Sequence, residues 1–358
     1  MLRCLELALL GAGHTAPNPM VGAVLVHEDR IIGEGYHRQY GQAHAEVNCI
    51  AAVKEADRPL IQQSTLYVSL EPCAHFGKTP PCADLIVEKR IPRVVVGCRD
   101  PFPQVNGKGI EKLLAAGVEV VLGVLEKECI HLNNRFFTFN TLHRPYILLK
   151  WAQSANGKIA AGGGNGPIGN GSPDNGPTGT RTLISNEYIN RLVHKWRSEE
   201  AAILVGTHTA LSDDPALTVR SWKGPNPIRM VIDKENRLPS TLQLFDRQVP
   251  TIVFNTLRHE EVGNLRYYQL ATDSSLVHQV VGALYQLKIQ SVLVEGGARL
   301  LQSFIDEGYW DEARVITNNE LEIPGGLASP VLKDPQFLSR ETLFSDTLRY
   351  YKNPMSVF

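Results

Sequence analysis

No segment of the 358 residues approaches the roughly 20 consecutive apolar residues that a membrane-spanning helix needs. Neither charge is in excess. Lys and Arg number 36 against 37 Asp and Glu, the formal net charge is -1, and no basic run is visible. A polynucleotide partner would call for a basic surface, so that class is disfavoured. Cysteine is scarce: Cys4, Cys49, Cys73, Cys82, Cys98 and Cys129 are all there is. In so long a chain they form no disulfide framework. A signal peptide is not expected, because Glu6 interrupts the apolar start and Asn18-Pro19 follow without a clear cleavage site. Leu2, Leu5 and Leu9 share one helical face and predict a short core helix instead. A soluble, cytoplasmic protein is therefore expected. Its length exceeds one typical core and predicts two domains.

What is present is an alternation. Apolar runs at Val21–Val26, Ile31–Tyr36, Ser64–Leu70, Arg93–Gly97 and Val118–Leu122 read as strands, with a hairpin turn at His27–Arg30. Helical spacing is read at 44–54, 84–89 and 109–116. This predicts an α/β layered domain with a mainly parallel sheet. The segment 133–144 is polar and aromatic without a steady period and reads as a join. A second α/β domain follows. Its predicted strands lie at 146–150, 201–206, 228–233, 251–255 and 291–295, and its helices at 186–197 and 276–287, with another after Gly296-Gly297-Ala298. The Gly-, Asn- and Pro-rich run 162–179 is read as a mobile loop, and the residues after Glu322 are weakly patterned.

The chemistry concentrates in Glu71-Pro72-Cys73-Ala74-His75-Phe76-Gly77-Lys78-Thr79-Pro80-Pro81-Cys82 and, upstream, His44-Ala45-Glu46. One imidazole and two thiolates (His44, Cys73, Cys82) are three ligands for a zinc ion that keeps a fourth position for water. Glu46, two residues past His44, reads as a non-ligating carboxylate that moves the water's proton. A structural zinc would not need such a neighbour. Eight residues separate the cysteines, Ala74 to Pro81. The H-x-E…C-x-x-C pattern of zinc deaminases has two, so the insert is expected to shape a substrate pocket.

Thr15-Ala16-Pro17-Asn18-Pro19-Met20-Val21-Gly22, His44-Ala45-Glu46 and the Pro72–Cys82 turn resemble the deaminase half of the bifunctional riboflavin-biosynthesis deaminase/reductase family. Arg144–Lys150, Ser154–Ile159, Thr209–Arg220 and Glu295-Gly296-Gly297 are similar to its reductase half. The resemblance implies a cytidine-deaminase-like three-layer domain over 1–143 and a dihydrofolate-reductase-like domain over 144–358. It implies zinc-dependent loss of the 2-amino group, as ammonia, from a diaminopyrimidinone bearing a ribosylamino 5′-phosphate. NADPH would then reduce the ribosyl group to ribityl. Carried over by position, Asn18, His37, His75 and Lys78 would meet the first substrate. Gln153, Thr209, Asp213, Lys234, Gly296, Gly297 and Ala298 would hold NADPH. Lys150, Arg181, Arg197, Leu217, Arg220 and Glu295 would face the second substrate, the arginines on its phosphate. A homo-oligomer is also implied, with neither nucleic acid nor membrane as partner. Three positions depart from the family pattern: Phe102 for an asparagine, Asn156 for an aspartate and Leu183 for a tryptophan. Asn106 is a candidate to stand in for the asparagine missing at 102. The departures at Asn156 and Leu183 keep an alternative open, a deaminase whose C-terminal half only binds ligand or builds an oligomer. A nucleic-acid-editing deaminase and a non-catalytic zinc module are the remaining readings.

Overall fold

The computed structural model describes residues 1–76, 80–102, 105–161 and 183–358, so the predicted loop 162–179 lies outside the described residues. The chain divides into two compact units, Met1–Arg144 with Phe358 and Pro145–Val357. Among the described residues no helix is long and apolar enough to cross a membrane.

Unit 1 contains strands β1 (Gly22–His27), β2 (Arg30–Tyr36), β3 (Thr65–Leu70), β4 (Arg93–Cys98) and β5 (Glu119–Leu122). Its helices are α1 (Leu2–Leu9), α2 (Ala45–Ala51), α3 (Cys82–Glu88), α4 (Lys108–Ala115), α5 (Glu126–Leu132) and α6 (Asn134–Leu142). The strand order is β2-β1-β3-β4-β5. Strand β1 runs antiparallel to both β2 and β3, and only β3, β4 and β5 are mutually parallel. The sheet is therefore mixed, not mainly parallel. The cause is local: Glu28 and Asp29 take positive φ (43 and 63) and turn the chain from β1 into β2 as a tight hairpin. Successive β1 side chains point to opposite faces. Ala23 and Leu25 pack with Ala45 and Cys49 of α2, Ile86 of α3 and Leu113 of α4. Val24 packs with Cys4 and Leu7 of α1. The sheet thus sits between two helical layers.

Two expectations fail here for identifiable reasons. Helix α1 forms, but its buried face is Cys4, Leu7 and Ala8, while Leu2 and Leu9 are 67% and 57% exposed. The small side chains of Cys4 and Ala8 let the helix lie close to β1. The segment expected to be a join is instead helix α6. Its entry is obscured in sequence because Asn133 is buried as a backbone substitute, accepting from Met20 N at 2.8 Å and donating to Met20 O at 2.9 Å.

In unit 2 the elements are β6 (Tyr146–Ser154), β7 (Lys158–Ala160), α7 (Glu187–Glu199), β8 (Ala202–Gly206), α8 (Thr207–Asp213), β9 (Ile228–Ile232), β10 (Thr251–Asn255), β11 (Glu260–Val262) and β12 (Leu265–Gln269). They continue with α9 (Leu276–Gln286), β13 (Ser291–Gly296), α10 (Ala298–Asp306), β14 (Glu312–Asn318), β15 (Leu327–Ala328), β16 (Gln336–Leu343) and β17 (Asp346–Lys352). One large sheet runs β11-β12-β10-β9-β8-β13-β6-β14-β17-β16. It is parallel from β12 to β14 and antiparallel at both margins. Ile147, Leu149 and Trp151 of β6 pack against α9 and α10, whereas Leu148 joins Ile203, Val231 and Leu293 on the other face. A sheet buried on both faces needs continuous apolar strands, which is why these strands are visible in the sequence. The weakly patterned tail forms β15, β16 and β17.

Candidate active sites

In unit 1, three elements converge on one point. His44 is the N-cap residue of α2 and places Glu46 in that helix's first turn. Strand β3 delivers the chain to Cys73, and Cys82 opens α3. The nitrogen Nδ1 of His44 lies 3.6 Å from Cys73 Sγ and 3.4 Å from Cys82 Sγ. Among the described residues this trio forms a group whose donor atoms all lie within 4.8 Å of one another. Zinc bonds of about 2.0 Å to nitrogen and 2.3 Å to sulfur, at tetrahedral angles, separate donors by roughly 3.5–3.8 Å. The donor set and its spacing therefore fit zinc.

The electrostatics agree with a thiolate site. The Cys73 thiol is pulled down to about 4, chiefly by the hydrogen bond from Cys82, with His44 and the Cys82 N–H assisting. The Cys82 thiol is pushed up, because it shares its proton with Cys73 and is buried. The Glu46 carboxyl is pushed up to about 7, first by burial and then by the negative charge of Cys73. It lies 3% exposed against the centre.

The expected substrate residues surround this point unevenly. His37 is buried, its Nδ1 3.0 Å from Ala43 O and its Nε2 3.2 Å from Asn18 Nδ2. Both ring nitrogens are thus partnered inside the protein, and His37 orients Asn18. His75 has a buried Nδ1 with no hydrogen-bond partner, and its ring lies 6.4 Å from that of Phe102. Lys78 lies outside the described residues. Asn106 is exposed, with its N–H donating to Phe102 O at 3.0 Å.

Sequence reasoning overlooks the role of Glu71. Its buried carboxylate accepts from Asp100 N (3.3 Å), Gly107 N (3.0 Å), Gly109 N (3.0 Å) and Ile110 N (3.3 Å). It thereby caps α4 and ties it to the cysteine turn. A Cβ at Gly109 would run into the Pro72 carbonyl, so only glycine permits this approach. Glu71→Gln should destabilise unit 1 by about 2–3 kcal/mol, since its amide N–H₂ would face donors and lose the charged acceptor. Urea denaturation followed in unit 1 checks this; an unchanged midpoint contradicts it.

In unit 2, β8 and β13 are parallel neighbours, and their ends carry the polar residues. The Gly296–Gly297 peptide is cis and Gly296 has φ 130. A Cβ at Gly297 would stand 3.1 Å from Thr209 Oγ1, so the glycine lets α8 lie close to the start of α10. Backbone N–H groups at a helix start receive phosphate. Thr209, Gly296 and Gly297 are thus brought together at the start of α10, which Ala298 opens. Asp213 closes α8, and the Lys234 side chain is exposed beyond β9. The Gln153 amide is engaged locally, with Trp151 Nε1 at 2.9 Å and Thr317 Oγ1 at 3.4 Å.

The remaining residues form a buried charge cluster. Glu295 receives Arg197 at two points, Nε to Oε1 at 2.7 Å and Nη2 to Oε2 at 2.8 Å. Lys150 Nζ lies 3.5 Å from Oε2. Burial alone would raise the Glu295 carboxyl, but Arg197 and Lys150 outweigh it and hold it at about 2. A depressed carboxyl stabilises the fold fully above its unfolded value of 4.5, and that stability is lost as pH falls toward 2. The contribution is on the order of 3 kcal/mol. Glu295→Gln should abolish this part of the acid slope in denaturation midpoints measured from pH 5 to 2.5. An unchanged slope contradicts the assignment. Leu217 is 2% exposed in the core, with φ 50. Arg181 lies outside the described residues, and Leu183 is 72% exposed. Asn156 is exposed, yet both ends of its side-chain amide are engaged: its nitrogen donates to Ile323 O at 3.1 Å and its oxygen accepts from Ile323 N at 3.2 Å. An aspartate there could not make the first of these bonds.

Residues 1–98 match the family model described as the cytidine and deoxycytidylate deaminase zinc-binding region, and residues 145–321 match the RibD C-terminal domain. The chain is 40% identical over 316 residues to the riboflavin biosynthesis protein RibD of Aquifex aeolicus, covering 87% of this chain and 83% of that one. It is 38% identical over 322 residues to RibD of Bacillus amyloliquefaciens, covering 87% and 81%. A solved Thermotoga maritima structure is similar throughout, with a TM-score of 0.86, 35% identity, and 99% and 97% coverage. It is described as a diaminohydroxyphosphoribosylaminopyrimidine deaminase/5-amino-6-(5-phosphoribosylamino)uracil reductase. With a zinc-binding deaminase region followed by a dihydrofolate-reductase-like domain, this chain belongs to the RibD family of riboflavin biosynthesis proteins.

Proposed function

We propose that this protein carries out two consecutive steps of riboflavin biosynthesis, the first in residues 1–143 and the second in 144–358. The first is hydrolytic deamination of 2,5-diamino-6-ribosylamino-4(3H)-pyrimidinone 5′-phosphate. The second is NADPH-dependent reduction of the ribosyl side chain. The observation that carries the first step is the His44–Cys73–Cys82 donor set beside a buried Glu46.

His44, Cys73 and Cys82 hold the zinc. Bound there, zinc acts as a Lewis acid that makes water nucleophilic at neutral pH. Glu46 takes a proton from the attacking water and passes it to the departing amino nitrogen, so water enters and ammonia leaves. Asn18, oriented by His37, meets a polar edge of the pyrimidine. His75 offers its unpartnered Nδ1. Lys78 meets the phosphate side as a point charge.

For the second step, NADPH supplies the hydride. Thr209 with Gly296, Gly297 and Ala298 holds its phosphates, and Gln153, Asp213 and Lys234 complete the cofactor contacts. Lys150, Arg181, Leu217, Arg220 and Glu295 face the deaminated substrate, and Arg197 fixes Glu295 among them. The protein works in the cytoplasm as a homo-oligomer, on a small phosphorylated pyrimidine and not on nucleic acid. Metal analysis with ammonia and NADPH assays on one purified sample tests this reading. Zinc with ammonia release but no NADPH oxidation would leave only the deaminase.

A further inference from the structure

Strands β13, β6, β14 and β17 are successive neighbours in the large sheet. Alternation assigns their side chains to two faces. Lys150 shares the face of Leu148, whereas Gln153 shares that of Leu149 and Trp151, against α10. Thr317 stands beside Gln153 in register and shares its face with Val315. Gly296, Gln153 and Thr317 are each the last or last-but-one residue of β13, β6 and β14. In an open parallel sheet, ligands bind outside such carboxyl ends. The three positions line a track on the α10 face. It begins at the helix start, where phosphate is received, and crosses two strand spacings, about 10 Å.

Two donors on this track are unused. Trp151 Nε1 can only donate, so the Gln153 atom 2.9 Å from it is the amide oxygen. The Gln153 amide nitrogen donates one N–H to Thr317 Oγ1 at 3.4 Å, and its second N–H has no acceptor among the described residues. Arg349 Nη1 donates to the same Thr317 oxygen at 3.2 Å, a charge-assisted bond. A hydroxyl has two acceptor lone pairs and one proton. Both lone pairs of Thr317 are taken, so its proton points in the remaining direction, where no acceptor lies among the described residues. Thr317 is 7% exposed, and an unused hydroxyl proton at that depth calls for a partner. We propose that Gln153 Nε2 and Thr317 Oγ1 together receive one carbonyl oxygen, that of the nicotinamide carboxamide of NADPH, and that Arg349 is the positioning residue that turns the Thr317 hydroxyl toward it. The inference rests on the reductase reading of unit 2. A carbonyl oxygen has two lone pairs and matches two donors. The nicotinamide lies one ribose from a dinucleotide's phosphates, which places it along the track. The pyrimidine also carries carbonyls, but Lys150, assigned to that substrate, reaches Glu295 on the opposite face.

The test is calorimetric binding of NADP⁺ and of its thionicotinamide analogue, whose sulfur accepts hydrogen bonds poorly, to the full chain. The wild type should bind the analogue about tenfold more weakly than NADP⁺. Thr317→Val should bind NADP⁺ about tenfold more weakly than the wild type does and should no longer distinguish the two. Thr317→Ser, which keeps the hydroxyl, should bind as wild type. Arg349→Met should weaken NADP⁺ selectively too, and added to Thr317→Val it should cost nothing more, because the arginine acts through the hydroxyl. Binding of 5-amino-6-(5-phosphoribosylamino)uracil alone should be unchanged in every variant. Equal weakening of both dinucleotides, or a loss confined to the uracil, overturns the proposal. Should Thr317→Val fail to fold, the wild type decides: a preference for NADP⁺ over the analogue supports the proposal, and equal affinities overturn it. A wild-type protein that binds neither dinucleotide overturns the reductase reading, and the proposal with it.

Discussion

Glu46→Gln should retain a full equivalent of zinc and lose ammonia release by roughly 10²–10⁴-fold, the usual weight of a positioned general acid–base. The substitution keeps the volume and leaves His44, Cys73 and Cys82 untouched. What it removes is the buried carboxylate beside the donor set that can accept a proton. NADPH oxidation with the deaminated substrate should stay as in wild type, because that chemistry belongs to the other unit. Zinc analysis and an ammonia assay on the same sample decide the point. A fully active Glu46→Gln protein would show that proton transfer runs through another group.

The second large effect concerns the Glu295 cluster. Arg197→Met should cost unit 2 about 3–5 kcal/mol, because it strands a buried carboxylate that two hydrogen bonds had compensated. It also releases Thr218 O, to which Arg197 Nη1 donates at 3.3 Å, so NADPH oxidation should fall with stability while ammonia release persists. Arg197→Met combined with Glu295→Leu and Lys150→Met should recover much of the stability but none of the reduction, since an apolar trio packs without the desolvation penalty and leaves no charge of the cluster stranded. Denaturant unfolding with both assays reads all of this. An Arg197→Met protein as stable as wild type would contradict the structural role given to the pair.

The contrast between what the sequence discloses and what it hides follows from the kind of partner each residue has. Strand β10 is legible residue for residue as 251–255, and β13 and α9 nearly so, because fully buried elements must be continuously or periodically apolar. Strand β16 is invisible: nearly all its residues are exposed at the margin of the sheet, so no alternation survives. Helix α6 is hidden by Asn133, whose polarity serves a backbone pair with Met20. The same division runs through the sites. His44, Glu46, Cys73 and Cys82 are legible because metal and proton chemistry demand particular side chains in a recognisable order. Glu71 is not, because its partners are main-chain N–H groups, which nearly every residue type supplies. Asn156 looks in the sequence like a weakness in the cofactor site. In the fold it is a two-point clamp on Ile323.

The two-step reaction stands or falls on one stoichiometry. The phosphorylated diaminopyrimidinone is given to the full chain with NADPH, and ammonia and oxidised cofactor are followed together. One NADPH should be oxidised per ammonia released, with oxidation lagging behind release. Chelator-treated protein, stripped of zinc, should still oxidise NADPH when supplied with the deaminated compound. Ammonia release with no oxidation of NADPH, at saturating substrate, would contradict the two-step reaction.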